Sequence, residues 1–402
     1  MKIGIIRETK NPPDRRVPLT PGLCAKFREK YPDVELVVQP SDHRCFSDDE
    51  YRDAGVPLRE DLSDCTHLLG VKEVDISALM DHKTYFFFSH TAKMQPYNRV
   101  MLQEIVHKGI TLADYEYLVR PDNTRVVAFG RWAGIVGAYN GLRAYGLRNG
   151  LYDLVPANEL PDLKKLEEQL QDLPLENIRI TLTGGGRVAG GAEEIMKMAG
   201  VGEVTPEDFL EDTGKGPVYC RLDPWHYTRR KDGEPFDFDH FVQHPDRYEN
   251  AFLPYTRQTD LFIACHYWDP NSPVFFTNEE MMKEAFRISV IADISCDIDG
   301  PIPSTVRAST IDEPFYGYSP VTDTESPNIF DEEVVTVMAV DNLPGELPRE
   351  ASEDFGTALM ESVIPSLAGK ENSSIIERAT IVKEGRLTDR FGYLHDYLLG
   401  KS

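Results

Sequence analysis

At 402 residues with 41% hydrophobic content, the chain can bury the core of two domains or of one large one. A formal charge of -24 gives it a negative field that repels nucleic-acid phosphates and anionic membranes, so an anionic ligand needs a local cluster of arginine or lysine. The six cysteines (Cys24, Cys45, Cys65, Cys220, Cys265 and Cys296) are scattered without a CxxC pair, and neither MKIGIIRETK nor any later window reaches the roughly 20 apolar residues of a membrane span. The expectation is a cytoplasmic protein with reduced thiols.

In chain order, KIGII, VELVV, HLLGV, KTYFFFS and GITLAD predict strands, and GLCAKFREKY and YNRVMLQEIVHKG predict helices between them. This alternation is the βαβ signature of a parallel sheet. RWAGIVGAYNGLRAYGLRNG predicts a long helix whose small residues permit close packing, and NELPDLKKLEEQLQDLP a surface helix. A second series follows: strand IRITLT, helix EEIMKMAG, then strands LFIAC and RISVIADIS. VMAVDNLPGELPREASEDFGTALMESVIPSL supplies a last strand and a helix that returns to the first domain. The expected fold is α/β, with two Rossmann-like domains, parallel sheets and an intervening cleft. A discontinuous substrate-binding domain takes residues 1–130 plus 341–402, and a dinucleotide-binding domain takes 131–340.

The second series carries ITLTGGGRVAGGA, in which a strand runs directly into Gly184, Gly185, Gly186, Arg187, Val188 and Ala189 and a helix follows. This is the G-x-G-x-x-A form of the dinucleotide fingerprint: glycines let the backbone turn tightly and approach a pyrophosphate, whose charge rests on the helix N-terminus. The fingerprint normally continues to an acidic residue ending the next strand, which binds the ribose hydroxyls. At the corresponding place, GVGEVTPEDFL, only Glu207 and Asp208 are nearby, so the choice between NAD and NADP stays open.

In the first domain, charged residues follow the predicted strands: Arg16 the first, Lys72 and Glu73 the third, and His90, Lys93 and Gln95 the fourth, with Glu116 and Arg125 beyond the fifth. Open parallel sheets bind ligands at the carboxyl ends of their strands. Taken singly, Lys72 reads as a solvated loop residue and His90 as a bonded core histidine. Together, two arginines, two lysines, a histidine and two glutamates on one rim point to a site.

The chain resembles the lysine-forming saccharopine dehydrogenases, and especially the lysine:2-oxoglutarate reductase domain of the bifunctional lysine-degrading enzyme. The likeness runs through KIGIIRETKNPPDRRVPLTP, GVKE, YFFFSHTAK, DYEYL, RVVAFGRWAGIVGA, LTGGGRVAGGA, HPDRY, CHYWDPNSP, ADISCDIDG and DNLPGELPREAS. Alanine dehydrogenase and transhydrogenase are similar more distantly, through R-E-x-K and the glycine loop. The resemblance implies an acid/base pair of Lys72 and His90, with Glu73 and Glu116 moderating the lysine. Arg16 and Arg125 are implied as clamps for oxo-acid carboxylates, with Lys93 and Gln95 in the same pocket and Asp297 near the nicotinamide end of the cofactor. The implied reaction interconverts lysine, 2-oxoglutarate and NADH or NADPH with saccharopine through an imine. Imidazole, with an ordinary pKa near 6.5, suits its proton transfers, and bidentate guanidinium contacts suit its carboxylates. The expected partners are therefore small molecules, with homo-oligomer formation left open.

Other features read more plainly. His226, His240 and His244 lie in a long polar and aromatic insertion without zinc-ligand spacing, so no metal is expected. Arg229 and Arg230 read as a solvated turn sooner than a 2′-phosphate site, and Cys296 as a buried small residue. Two further readings stay open: reductive amination of a smaller oxo-acid with ammonia, and a nucleotide-binding subunit without turnover.

Overall fold

The apolar runs of the first 114 residues become five parallel strands in the computed structural model, which describes residues 1–11, 14–211, 216–369 and 374–401. These are β1 (Lys2–Ile5), β2 (Glu35–Val38), β3 (His67–Leu69), β4 (Thr84–Phe87) and β5 (Thr111–Asp114), hydrogen-bonded in the order β2-β1-β3-β4-β5. From the C-terminal part, β16 (Thr380–Lys383) adds antiparallel to β5, and β17 (Arg386–Leu387) pairs with β16. The middle strands are buried on both faces, which explains continuous runs such as Tyr85-Phe86-Phe87 where one-sided sheets show alternation. One apolar cluster, with Phe27, Phe86, Tyr115 and Phe355, covers one face; another, with Tyr85, Phe87, Leu102 and Tyr397, covers the other. The parallel order 2-1-3-4-5 reverses between β1 and β3, the switch point at which such sheets bind ligands.

This sheet belongs to a unit of residues 1–129 and 348–402; residues 130–347 form a second unit. There the strands are β6 (Arg179–Thr183), β7 (Gly202–Glu203), β8 (Val218–Leu222), β11 (Leu261–Ala264), β12 (Val290–Asp293), β13 (Phe315–Ser319), β14 (Thr324–Ser326) and β15 (Val335–Met338), ordered β14-β13-β15-β12-β11-β6-β8-β7. The six strands from β7 to β15 are mutually parallel, while β13 and β14 form an antiparallel edge. The short pair β9 (Thr228–Arg230) and β10 (Tyr248–Asn250) stands apart as a hairpin. Both units are thus α/β and Rossmann-like. The second has its switch point between β6 and β11, where the glycine loop begins.

Within the second unit, the helix Gly130–Asn149 packs on the glycine-loop helix Arg187–Met198 with almost no separation. A Cβ on Gly134 would stand 1.9 Å from the Val188 carbonyl, and one on Gly191 would stand 2.0 Å from that of Arg131. Those glycines let two backbones touch and set the angle of the helix behind the loop. Residues 341–347, expected in the first domain, stay with the second. Leu343–Gly345 packs on the long helix, and Asn140 Nδ2 donates to Glu346 Oε1 at 2.9 Å. No helix of the described residues is long and apolar enough to cross a membrane.

Burial pushes the Glu346 carboxyl from the ordinary 4.5 up to about 8, against the opposing Asn140 hydrogen bond and Arg143 charge. A carboxyl whose folded pKa lies above its unfolded value holds its proton more tightly in the folded state. It therefore costs nothing below pH 4.5 and drains stability as pH rises from 4.5 through 8. Glu346→Gln, which retains the acceptor, should match the native protein near pH 4.5 and exceed it by up to about 5 kcal/mol at pH 9. Urea unfolding across that range checks this; parallel pH profiles for the two proteins would contradict it.

Candidate active site

The carboxyl ends of β3 and β4 carry Lys72 and His90, and a different acidic group holds each segment. Glu8, three residues past β1, takes the Val71 N–H on Oε1 at 2.7 Å and the Lys72 N–H on Oε2 at 2.8 Å, across the switch point. Burial, then the Asp14 charge, pushes Glu8 to about 8, while those two N–H groups and Arg16 pull it down. Lys72 itself is half-buried, and desolvation followed by the charges of Arg16 and Lys10 lowers its pKa, against Asp14 and Glu73. A lysine poised in this way exchanges protons more readily than a solvated one.

Glu73 turns back toward β4. Its Oε1 lies 2.5 Å from His90 Nδ1, and Lys10 Nζ stands 3.5 Å from Oε2. Burial raises the Glu73 carboxyl, but the His90 hydrogen bond and charge, with Lys10, outweigh it and leave the pKa at about 2. An ionised Glu73 accepts, so Nδ1 carries a proton and Nε2 is the nitrogen left for exchange. His90 adopts φ 52° and ψ 9°, the left-handed region that residues with a Cβ seldom visit.

The remaining expected residues divide. Glu116 receives Arg125 Nη2 on Oε1 at 2.6 Å and has Lys93 Nζ 3.4 Å from Oε2, so these three form one cluster. Arg125 and Lys93 are about half exposed. Gln95 bonds within its own loop, accepting from the Tyr97 hydroxyl at 2.5 Å and from Asn98 Nδ2 at 3.4 Å. Arg16, expected as a clamp, is buried: its Nε and Nη2 reach the two oxygens of Asp14 at 3.0 and 2.6 Å, and its guanidinium lies 4.1 Å from the Phe129 ring centroid. Burial works against the Asp14 charge, yet Arg16 holds that carboxyl well below the usual range. The fork a substrate carboxylate would use is already engaged. What reaches Lys72 from Arg16 is its charge.

In the second unit, Gly184 has φ +93°, and a Cβ there would stand 2.9 Å from the Cys265 carbonyl on the neighbouring strand end. A Cβ on Gly185 would meet Asp223 Oδ1 at 2.4 Å, whereas one on Gly186 would meet nothing within 4 Å. Arg187 opens the following helix and is exposed, Val188 is the point of helix contact, and Ala189 is fully buried beneath the turn. An acidic residue that does stand against the glycine turn is Asp223, at the end of β8. β8 and not β7 lies beside β6, because β7 and the helix Pro206–Glu211 intervene in sequence while β7 takes the sheet edge. The spacing from the glycines is thus far longer than the usual ~20 residues. A glycine turn at a helix N-terminus with a carboxylate against it fits a dinucleotide. At the end of β11, burial lowers His266 to about 3, and its Nδ1 pairs with Thr183 Oγ1 at 2.8 Å.

Asp297 follows β12, half-buried, with its carbonyl accepting from Gly300 N–H. Cys296 is also partly buried, its Sγ 3.2 Å from the Ala339 carbonyl, and burial pushes its thiol up to about 12, which suits no nucleophile. Arg229 pairs with Glu249, and Arg230 with Asp232, within the β9–β10 hairpin and the turn that follows β9. Among the described residues no group of three or more His, Cys, Asp or Glu could hold a metal ion.

Residues 4–136 match the alanine dehydrogenase/PNT N-terminal domain family and residues 234–393 the corresponding C-terminal domain family. The chain is 32% identical to alpha-aminoadipic semialdehyde synthase of Arabidopsis thaliana over 98% of its own length and 41% of that protein. It is 30% identical to the mitochondrial alpha-aminoadipic semialdehyde synthase of Mus musculus, over 98% and 47%. It thus spans less than half the length of these two relatives. Similarity to the saccharopine dehydrogenase [NAD(+), L-lysine-forming] of Emericella nidulans is 29% identity, over 94% of this chain and 95% of that one. Among solved structures, an L-alanine dehydrogenase has a TM-score of 0.66 at 16% identity over the whole of both chains. The transhydrogenase of Sinorhizobium meliloti scores 0.63 at 15%, covering 96% of this chain and 100% of that one; these two likenesses establish the fold.

The pairing of Arg16 with Asp14 has a direct consequence. Asp14→Ala removes the carboxylate that meets two nitrogens of a buried guanidinium, at a cost of about 3–5 kcal/mol. Chemical denaturation should show that loss, and an unchanged midpoint would mean that the pair contributes nothing to holding this rim.

Proposed function

We propose that this chain, a member of the family of the lysine-forming saccharopine dehydrogenases and the aminoadipic semialdehyde synthases on the alanine dehydrogenase/PNT fold, interconverts L-lysine, 2-oxoglutarate and a reduced nicotinamide dinucleotide with saccharopine and the oxidised dinucleotide. The observation that carries this reading is the strand-end arrangement in the first unit: Lys72 with its backbone clamped by Glu8, and His90 with Nδ1 held by Glu73, on adjacent strands. Condensing an amine with a ketone requires a proton to leave the amine, a proton to reach the departing hydroxyl, and both to be returned on reversal. His90 Nε2 is the exchanging atom of one partner. Lys72 Nζ, its pKa lowered by desolvation and by two neighbouring cations, is that of the other. Glu73 fixes the imidazole tautomer, and Lys10 offsets the charge that Glu73 brings.

Arg125 and Lys93 bind the oxo-acid carboxylates, with Glu116 setting their positions. Arg16 acts through its charge on Lys72. When bound, the dinucleotide supplies the hydride that reduces the imine. Gly184, Gly185, Gly186 and the N-terminus of the helix beginning at Arg187 would hold its pyrophosphate, with Val188 and Ala189 fixing that helix, and Asp297 is assigned to the cofactor site by the family resemblance. Asp223 receives the ribose hydroxyls and would repel a 2′-phosphate, while Arg229 and Arg230 are already paired. NAD is therefore the cofactor we assign.

An absorbance assay at the reduced-nicotinamide band tests both parts. NADH should be consumed only when lysine and 2-oxoglutarate are both present, and NADPH at a kcat/KM lower by at least about tenfold. Asp223→Ser should narrow that ratio. Turnover with ammonia and a short oxo-acid in place of lysine and 2-oxoglutarate would replace this reading with the amination alternative. Equal use of NADPH would remove the role given to Asp223.

A further inference from the structure

The strand β5 ends in Asp114, and this carboxylate lies on the rim that holds His90 and Glu116 with none of its surface exposed. Its Oδ2 accepts from the Ser89 N–H at 2.9 Å and from the Ser89 hydroxyl at 2.5 Å; its Oδ1 accepts from the Glu116 N–H at 2.8 Å. We propose that Asp114 is a positioning residue that sets His90 and Glu116 relative to one another, and that both the proton-transfer and the carboxylate-binding halves of the site depend on it. The proposal rests on the reading of those two residues as parts of one active site.

Three features carry it. The first is topology: β4 and β5 are parallel neighbours in register, Phe87 opposite Asp114, so one side chain at the end of β5 can reach the segment leaving β4 and the turn leaving β5. The second is the conformation of His90. Its left-handed backbone is bracketed by Ser89 and Thr91, whose hydroxyl oxygens lie 2.9 Å apart, and Ser89 is the residue that Asp114 holds twice. The third is the choice of side chain. All three partners are donors and they approach both oxygens, which only an ionised carboxylate accepts in full. Burial pushes the Asp114 carboxyl upward, and its donors pull it back, with the Glu116 charge adding to the rise. An amide of the same shape would aim its NH2 at a donor whichever way it turned.

The charged neighbours on these elements are Glu73 and Lys10 toward His90, and Arg125 and Lys93 toward Glu116. A residue that merely supported the fold would lower stability and leave the kinetic constants of the folded fraction alone. A positioning residue moves them. In Asp114→Asn, kcat should fall roughly 10- to 100-fold and the KM for 2-oxoglutarate should rise severalfold, while the Kd for NADH stays within about twofold, because misplacement near 1 Å can cost about 10².

A second readout needs no turnover. The 2.5 Å contact between Nδ1 and Glu73 should give an imidazole proton resonance downfield of ordinary amides, identified by its loss in His90→Gln and lost or moved upfield in Asp114→Asn. Should Asp114→Asn fail to fold, Ser89→Ala removes a single hydroxyl donor and leaves both N–H contacts in place. It should shift the same constants in the same direction by less, with Ser89→Thr restoring them. Native kcat, KM and imidazole resonance in folded Asp114→Asn, or in Ser89→Ala, would overturn the proposal. If the native protein did not act on lysine and 2-oxoglutarate, the reaction assigned above would fail, and the resonance would still judge whether Asp114 positions His90.

Discussion

A parallel sheet ends each strand with backbone N–H groups that have left the ladder, and an apolar core offers them no water. At the rim of the first unit, carboxyl groups accept them: half-buried Glu8 takes two at the end of β3, and fully buried Asp114 takes one from each of the segments leaving β4 and β5. Unpaired, such groups are costly to bury, as is an ionised carboxylate without donors; paired, each lowers the other's penalty, although burial still raises both carboxyls. The side chains to which we assign the reaction are attached to the backbone that these contacts hold. Lys72, His90 and Glu116 therefore owe their positions to residues that need not touch a substrate.

The same logic explains the sign of the local field in a chain of net charge -24. Arg16, Lys10, Lys72, Lys93 and Arg125 stand among Glu8, Asp14, Glu73 and Glu116, so the cations of the rim are counterbalanced. Arg16 and Asp14 form the buried extreme of this arrangement and Arg125 with Glu116 the exposed one. A buried bidentate pair fixes a charge in place, whereas an exposed pair can exchange its partner for a ligand. In the second unit close backbone approach replaces charge: Gly184 and Gly185 let a turn settle against the β11 end and Asp223.

The sequence made the apolar strands legible because both faces of each sheet are covered, leaving continuous runs such as YFFF and ITLT. It also exposed the glycine loop and the strand-end cations, whose residue types are rare after such runs. It concealed three things. Glu8 in RETK and Asp114 in ADYEYL look like ordinary surface acids, since nothing in a linear pattern reports that a carboxylate accepts backbone donors. Asp223 escaped because the strand next in sequence after β6 is not the strand next to it in the sheet. Arg16 was visible, yet its engagement by Asp14, two residues earlier, depends on a loop geometry that spacing does not encode.

The central claim is that Lys72 and His90 form one proton-transfer unit, and a double-mutant cycle tests it most directly. Lys72→Met and His90→Gln should each lower kcat by roughly 10²- to 10⁴-fold while leaving the Kd for NADH nearly unchanged. The double variant should lose far less than the product of the single losses, because residues acting as a unit are not additive. Near-native turnover in both single variants, or losses that simply multiply, would contradict the account.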